Sequence, residues 1–280
     1  MTIRLRRAVS SRLRRSELSP EHAAFLRSLA RRRAVVSLAR VVILVAFFVL
    51  WEVAARQGWI NAFVISQPSK AWAVAVNMVK RGELWIHLGM TVGETAVGFT
   101  VGTVIGVIAA VLLWWSDLLS EILDPYIVVL NSIPKVALGP IFIVWMGTTV
   151  TAIIAMAISI SVIVTIMMVY VGFREVDPDR VKLLRTFGAS RWQILSKVVL
   201  PSSVPVMIAA LKVNVGLSMV GTIVGEFLVS RAGLGFLIVY GGQVFNMSLV
   251  MSSVILLSIV SVLLYYGVSA LETAVLKTRG

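Results

Sequence analysis

An all-α fold with about six membrane-spanning helices is predicted from three features of this sequence. Of its 280 residues, 59% are hydrophobic and only 14% charged, whereas soluble domains carry about a quarter charged residues. The apolar residues gather in runs of about 20, the length of a helix that crosses a bilayer. The basic residues mostly lie outside those runs. Eleven Arg in 1–40, six Lys or Arg in 173–199, and Lys277 with Arg279 make up 19 of the 26. That distribution follows the positive-inside rule and assigns the three segments to the cytoplasm. The net charge of +13 is thereby a topology signal, and nucleic acid is not an expected partner.

The first 33 residues form a basic extension, and 34–280 a transmembrane domain. Ser19-Pro20-Glu21 has a helix-start pattern, with a Ser N-cap and Pro at the first position. A helix from there to Arg33, with Phe25, Leu26 and Leu29 among basic residues, suits the anionic inner leaflet. Spans are expected at about 34–55, 92–115, 126–147, 149–172, 202–229 and 247–271. Six spans put both termini on one side, together with a short acidic loop at 116–125 and the segment 173–201. Residues 56–91 then lie outside, with a surface helix at about 69–81.

Several chemistries are missing. There is no cysteine, hence no disulfide, thiolate or redox site. His22 and His87 lack metal-ligand spacing and are expected as solvated or interfacial side chains. No phosphate-cradling G-x-x-x-x-G-K-[ST], G-x-S-x-G or H-E-x-x-H occurs. The chain alone is expected to hydrolyse nothing.

Within the spans, Gly89, Gly93, Gly98, Gly102 and Gly106 form a small-residue stripe. Gly98, Gly102 and Gly106 are spaced for close helix approach, as are Gly221 and Gly225. The partner is either a helix of the same chain or a second transmembrane subunit. Pro134 and Pro140 flank Lys135 and should break the third span, since proline removes a donor. Intramembrane charges mark substrate paths unless they pair. Lys135, Lys212, Asn214 and Glu226 are therefore path candidates, with an ion pair between Glu94 or Glu226 and a lysine as the structural alternative.

The segment 177–201 is too well punctuated for a plain connector. Asp177 and Pro178 start a helix, and Gly188 ends it near Phe187. Ser190 and Gln193 form a capping box for a second helix. Trp192, Leu195 and Val199 recur as one apolar ridge, and Leu200-Pro201 closes it. Such a ridge suits a groove on a partner protein or the membrane surface.

Thr186-Phe187-Gly188-Ala189-Ser190-Arg191 followed by Leu200-Pro201 resembles the "EAA–G–LP" loop of ABC importer permeases. Ser132-Ile133-Pro134-Lys135 through Trp145-Met146-Gly147, and Gly225-Glu226 followed by Gly233-Leu234-Gly235, are similar to the nitrate/sulfonate/bicarbonate/taurine-type group. The resemblance covers about 45–272 and implies a type I importer permease fold. It implies a coupling helix that contacts a separate ATPase through Gly188, Ala189, Ser190, Arg191, Trp192 and Leu195, with Leu200 and Pro201 completing the motif. It also implies two permease copies as a homodimer, two ATPase subunits, an external solute-binding protein, and a bacterial inner-membrane location. No cofactor is expected in this chain; ATP and Mg belong to the ATPase. Lys182-Leu183-Leu184 stands where the family has Glu-Ala-Ala, so local contacts with that partner must differ. The expected function is uptake of a small anion by alternating access. The rival is an ion-coupled transporter or channel acting alone through Glu94, Glu226 and Lys212.

Overall fold

The computed structural model describes residues 20–277. The start of the basic extension, the Ser19 cap and Arg279 lie outside the described residues. Among those described, every regular element is helical. The chain divides into two units, Met1–Ala62 and Phe63–Gly280.

The first unit holds α1, Pro20–Arg56. The sequence suggests a break near Arg33, but the helix runs straight through. Arg31, Arg32, Arg33 and Ala34 are all strong helix formers, and no Gly or Pro interrupts them. Ser28–Arg56 is long and apolar enough to cross a membrane.

The second unit begins with α2, Pro68–Lys80, whose buried Ala71, Ala75 and Met78 give it one apolar face. Four long helices follow in the order α3 (Glu83–Trp115), α6 (Val150–Arg174), α9 (Leu200–Val229) and α11 (Met247–Lys277). Between α3 and α6 lie α4 (Asp117–Ser132), one 3-10 turn (Lys135–Leu138) and α5 (Gly139–Met146).

The glycine stripes set the register of these helices. Gly98 faces Ala157 so closely that a Cβ would lie 2.5 Å from the alanine Cβ; Gly102 meets Ser161 Oγ and Gly106 meets Thr165 in the same way. The residue numbers rise together, so α3 and α6 run parallel. Gly221 faces Ala157 and Gly225 faces Ile153; there the numbers run oppositely, so α9 is antiparallel to both. Ala157 is thus clasped between Gly98 and Gly221, where three helix backbones converge. Both glycine pairings fall within one chain. Gly89 and Gly93 face open space and play no part in it.

The parallel register also decides the span count. Among the described residues five helices are long enough to cross, and α4 with the Lys135–Met146 segment forms a pair bent by 89°. If α3 and α6 cross in the same direction, the bent pair must carry the chain back, which makes six crossings. The bend sits at Ile133–Pro134, as the prolines require. Lys135 Nζ donates to the carbonyl of Asn131 at 2.9 Å, so the lysine supplies a donor to the last turn of α4. The expected acidic loop at 116–125 is instead the first half of α4. Ser116 caps it by accepting from Leu119 N, and Asp117 favours the positive helix start.

Two apolar clusters secure opposite ends of the bundle. One gathers Met78, Leu84, Met219, Leu234, Leu237, Leu249, Leu257 and Val260. The other joins Ala110, Val169, Phe173 and Ala210 to Ile194, Leu195 and Val199, and so roots the 177–199 segment in the ends of α3, α6 and α9.

Candidate functional site

The segment after α6 folds as α7 (Pro178–Thr186) and α8 (Arg191–Ile194). Asp177 caps α7 by accepting from Asp179 N at 2.9 Å. Gly188, at φ +77°, ends it. Gly188 N donates to Arg185 O and Ala189 N to Leu184 O, each at 3.0 Å, the paired bonds of a Schellman stop. Ser190 and Gln193 form the full capping box: Gln193 N donates to Ser190 Oγ, and Ser190 N to Gln193 Oε1. Every backbone bond that shapes this turn is made within six residues.

The apolar ridge expected here divides in two. Leu195 is 1% exposed and Val199 0%; both are packed inside the chain's own cluster with Ile194, so Leu195 cannot contact a partner. The reason is the widened π-turn Leu195–Val199 that follows α8. It turns these side chains inward, and it replaces the expected break at Leu200-Pro201. Proline at 201 has no N–H to give to the preceding turn, and a wider turn relieves the ring's clash there. The helix continues from Arg191 to Val229 without interruption. Leu200 and Ala189 pack partly against the same cluster, and Pro201 is exposed. What faces outward is Leu183 (57% exposed), Phe187 (77%) and Trp192 (63%), alongside Gly188, Ser190 and Arg191. Arg191 Nη1 donates to the Trp115 carbonyl at 2.6 Å. The Trp192 ring lies 6.5 Å from that of Trp115.

Midway along the bundle, buried Asn214 donates to Thr103 Oγ1 at 2.7 Å. It lines a cavity of about 180 Å³ with Val107, Thr165, Val169 and Met207. The Asn214 Oδ1 has no hydrogen-bond partner among the described residues.

At the opposite end Glu226 is buried, but not in the expected ion pair with a lysine. Its Oε1 accepts from Thr91 Oγ1 at 2.6 Å and its Oε2 from Gly235 N at 2.5 Å. Leu234 N donates to Thr91 Oγ1 at 2.8 Å, and Gly233 N to His87 Nδ1 at 3.0 Å. Three side chains therefore take the free N–H groups at the start of α10 (Leu234–Gln243). His87, expected to be solvated or interfacial, is half-buried and its ring lies parallel to Phe236, 6.1 Å away. Gly233 has φ +118°, and a Cβ there or on Gly235 would run into the Glu226 carboxylate. Glu94 is buried beside Glu226. Lys212 Nζ pairs instead with Glu272 at 2.5 Å. Lys135, Lys212, Asn214 and Glu226 thus occupy separate places and form no common cluster. Among the described residues no three His, Cys, Asp or Glu gather as a metal site.

The sequence signal for the Glu226 clamp was the Gly-Leu-Gly run after the acid. It marks where backbone must approach closely, but gives no hint of His87 or Thr91.

Glycine-packed crossings, a broken span and a capped helix pair rooted at one end define a multi-pass membrane protein. The chain belongs to the family described as the binding-protein-dependent transport system inner membrane component, whose model matches residues 102–277. It is an ABC importer permease, of a family whose members associate with an ATPase and a binding protein. It is 28% identical to a probable ABC transporter permease of Haemophilus influenzae over 78% of this chain and 89% of that one. It is also 28% identical to a putative aliphatic sulfonates transport permease of Bacillus subtilis, over 82% and 83%. A solved structure of the MetNI methionine ABC transporter in an inward-facing conformation shares the fold, with TM-score 0.60 at 23% identity, over 66% of this chain and 93% of that one.

Proposed function

We propose that this chain forms the membrane path and the mechanical input of an ATP-driven importer for a small anion. The observation that carries the coupling role is the outward face of Leu183, Phe187 and Trp192. These large apolar side chains stand on a segment capped by its own bonds, whose inner face is locked into the spans. A second protein that gripped them would move the ends of α3, α6 and α9 together. In this reading α7 and α8 face the cytoplasm, both termini lie there, and two copies of the chain pair with two ATPase subunits. The chain carries no ATPase site or cofactor of its own; ATP and Mg act on the partner.

The anion class is supported by relatives named for aliphatic sulfonates, taurine and nitrate, in Bacillus subtilis, Escherichia coli and Leptolyngbya laminosa. Others are named for formylaminopyrimidine and riboflavin, so the solute is the open choice within one mechanism. Lys135 and Lys212 contribute less than expected, because a carbonyl and Glu272 already engage them.

The test is uptake of labelled sulfonate, taurine and nitrate by vesicles holding the chain with its ATPase and binding protein. Phe187→Ala/Trp192→Ala should leave the protein folded, release the ATPase on pull-down and abolish ATP-driven uptake. Undiminished uptake in that variant, or uptake driven by an ion gradient with no ATPase present, would overturn the proposal.

A further inference from the structure

A groove of about 280 Å³ lies where the last turns of α3 and α6 meet α7 and α8. Its walls carry four cations, Arg174, Lys182, Arg185 and Arg191, and the two indoles of Trp114 and Trp115. The carboxylate on the wall is Asp117, 3.7 Å from Arg174; Asp179 reaches Lys182 at 3.5 Å. Both pairs are highly exposed and hold their cations weakly. Arg185 makes no ion pair among the described residues. Arg191 is held in place by the Trp115 carbonyl, which leaves the rest of its guanidinium fork for another acceptor. The groove is therefore a concave, net-positive surface at the end of two spans.

A second feature leads into it. On α3, Val101, Val104, Ile108 and Leu112 are all exposed, at spacings that place them on one helix face. The stripe continues to Trp115 on the groove wall. An apolar strip along a span, ending in indoles and then in clustered Arg and Lys, follows the order of a phospholipid: acyl chain, interface, charged headgroup.

We propose that this groove binds the phosphodiester headgroup of an anionic phospholipid, with an acyl chain along the Val101–Leu112 face. Arg185 and Lys182 supply charge to the phosphate, Arg191 a directional fork, and the indoles the interfacial wall. The leaflet concerned follows from the orientation proposed above; the headgroup chemistry does not depend on it. Because α7 and α8 form two walls, a bound lipid would also brace the segment that offers Phe187 and Trp192.

The full chain is purified and examined by native mass spectrometry with phosphatidylglycerol or phosphatidylcholine of matched acyl chains. Wild type should retain phosphatidylglycerol in preference. Lys182→Gln/Arg185→Gln should lower that preference about tenfold, while Lys80→Gln/Arg81→Gln, at the other end of the bundle, should not. Unchanged preference in the groove variant would overturn the site. Displacement of the lipid by equimolar inorganic phosphate would assign the groove to a soluble anion and overturn the lipid. If the groove variant fails to fold, wild type decides. Brominated phosphatidylglycerol should quench tryptophan fluorescence more than brominated phosphatidylcholine, and Trp114→Phe/Trp115→Phe should remove the difference. Equal quenching of wild type by both lipids would equally overturn the proposal.

Discussion

Two helix starts in this molecule have their free N–H groups satisfied in opposite ways. At α8 the donors and acceptors come from Ser190 and Gln193, three residues apart. At α10 they come from other helices: His87 and Thr91 lie 146 and 143 residues earlier in the chain than the groups they accept from. The first is a local device that forms wherever the chain turns. The second exists only once α3, α9 and α10 have assembled. The α7–α8 end therefore keeps its own shape while it moves with the span ends it is rooted in, whereas the Glu226 end is a fastening between helices that cannot move independently.

The largest effect that sharpens this contrast is expected from Glu226→Ala. It leaves Gly235 N–H and the Thr91 hydroxyl without acceptors in a buried place, at a cost of about 3 kcal/mol. Thermal unfolding of the purified chain measures it, and a loss no greater than that of Ser190→Ala would break the contrast. Two of the positive-φ glycines, Gly233 and Gly188, come next. Gly233→Ala pays for backbone strain and drives a Cβ into the Glu226 carboxylate, about 2 kcal/mol. Gly188→Ala pays for the left-handed conformation alone, because nothing lies within 4 Å of its Cβ; about 1 kcal/mol is expected.

Ser190→Ala should cost about 1 kcal/mol. A double-mutant cycle with Gln193→Ala should show coupling, and one with Glu226→Ala should show none, since the sites share no partner. The smallest effect on stability is expected for Phe187→Ala, within about 0.5 kcal/mol, although ATP-driven uptake should fall severely. A large loss of stability would mean that Phe187 supports the fold and does not serve a partner.

The same contrast explains what the sequence disclosed. Asp177, Pro178, Gly188, Ser190 and Gln193 act through neighbours in the chain, so spacing alone located α7 and α8. The glycine stripes located the close crossings because only a missing side chain permits them. The inward turn of Leu195 and Val199 was hidden, because it depends on one widened turn that periodicity assumes away. The clamp on α10 was hidden for another reason: His87, Thr91 and Glu226 meet only through the packing of α3 on α9. Glu226 read as a charge in search of a lysine, when the Thr91 hydroxyl and the Gly235 N–H were its partners.

The uninterrupted helix from Arg191 to Val229 has a further consequence. Trp192 stands near one end of it and Glu226 near the other, about 50 Å apart at the rise of an α-helix. A helix of that length transmits axial displacement with little compression, so a stroke applied to one end is delivered to the other with the same sign. The π-turn at Leu195–Val199 and the interior proline Pro205, which lacks a donor to the preceding turn, are its compliant joints, and their stiffness sets how much of that stroke arrives.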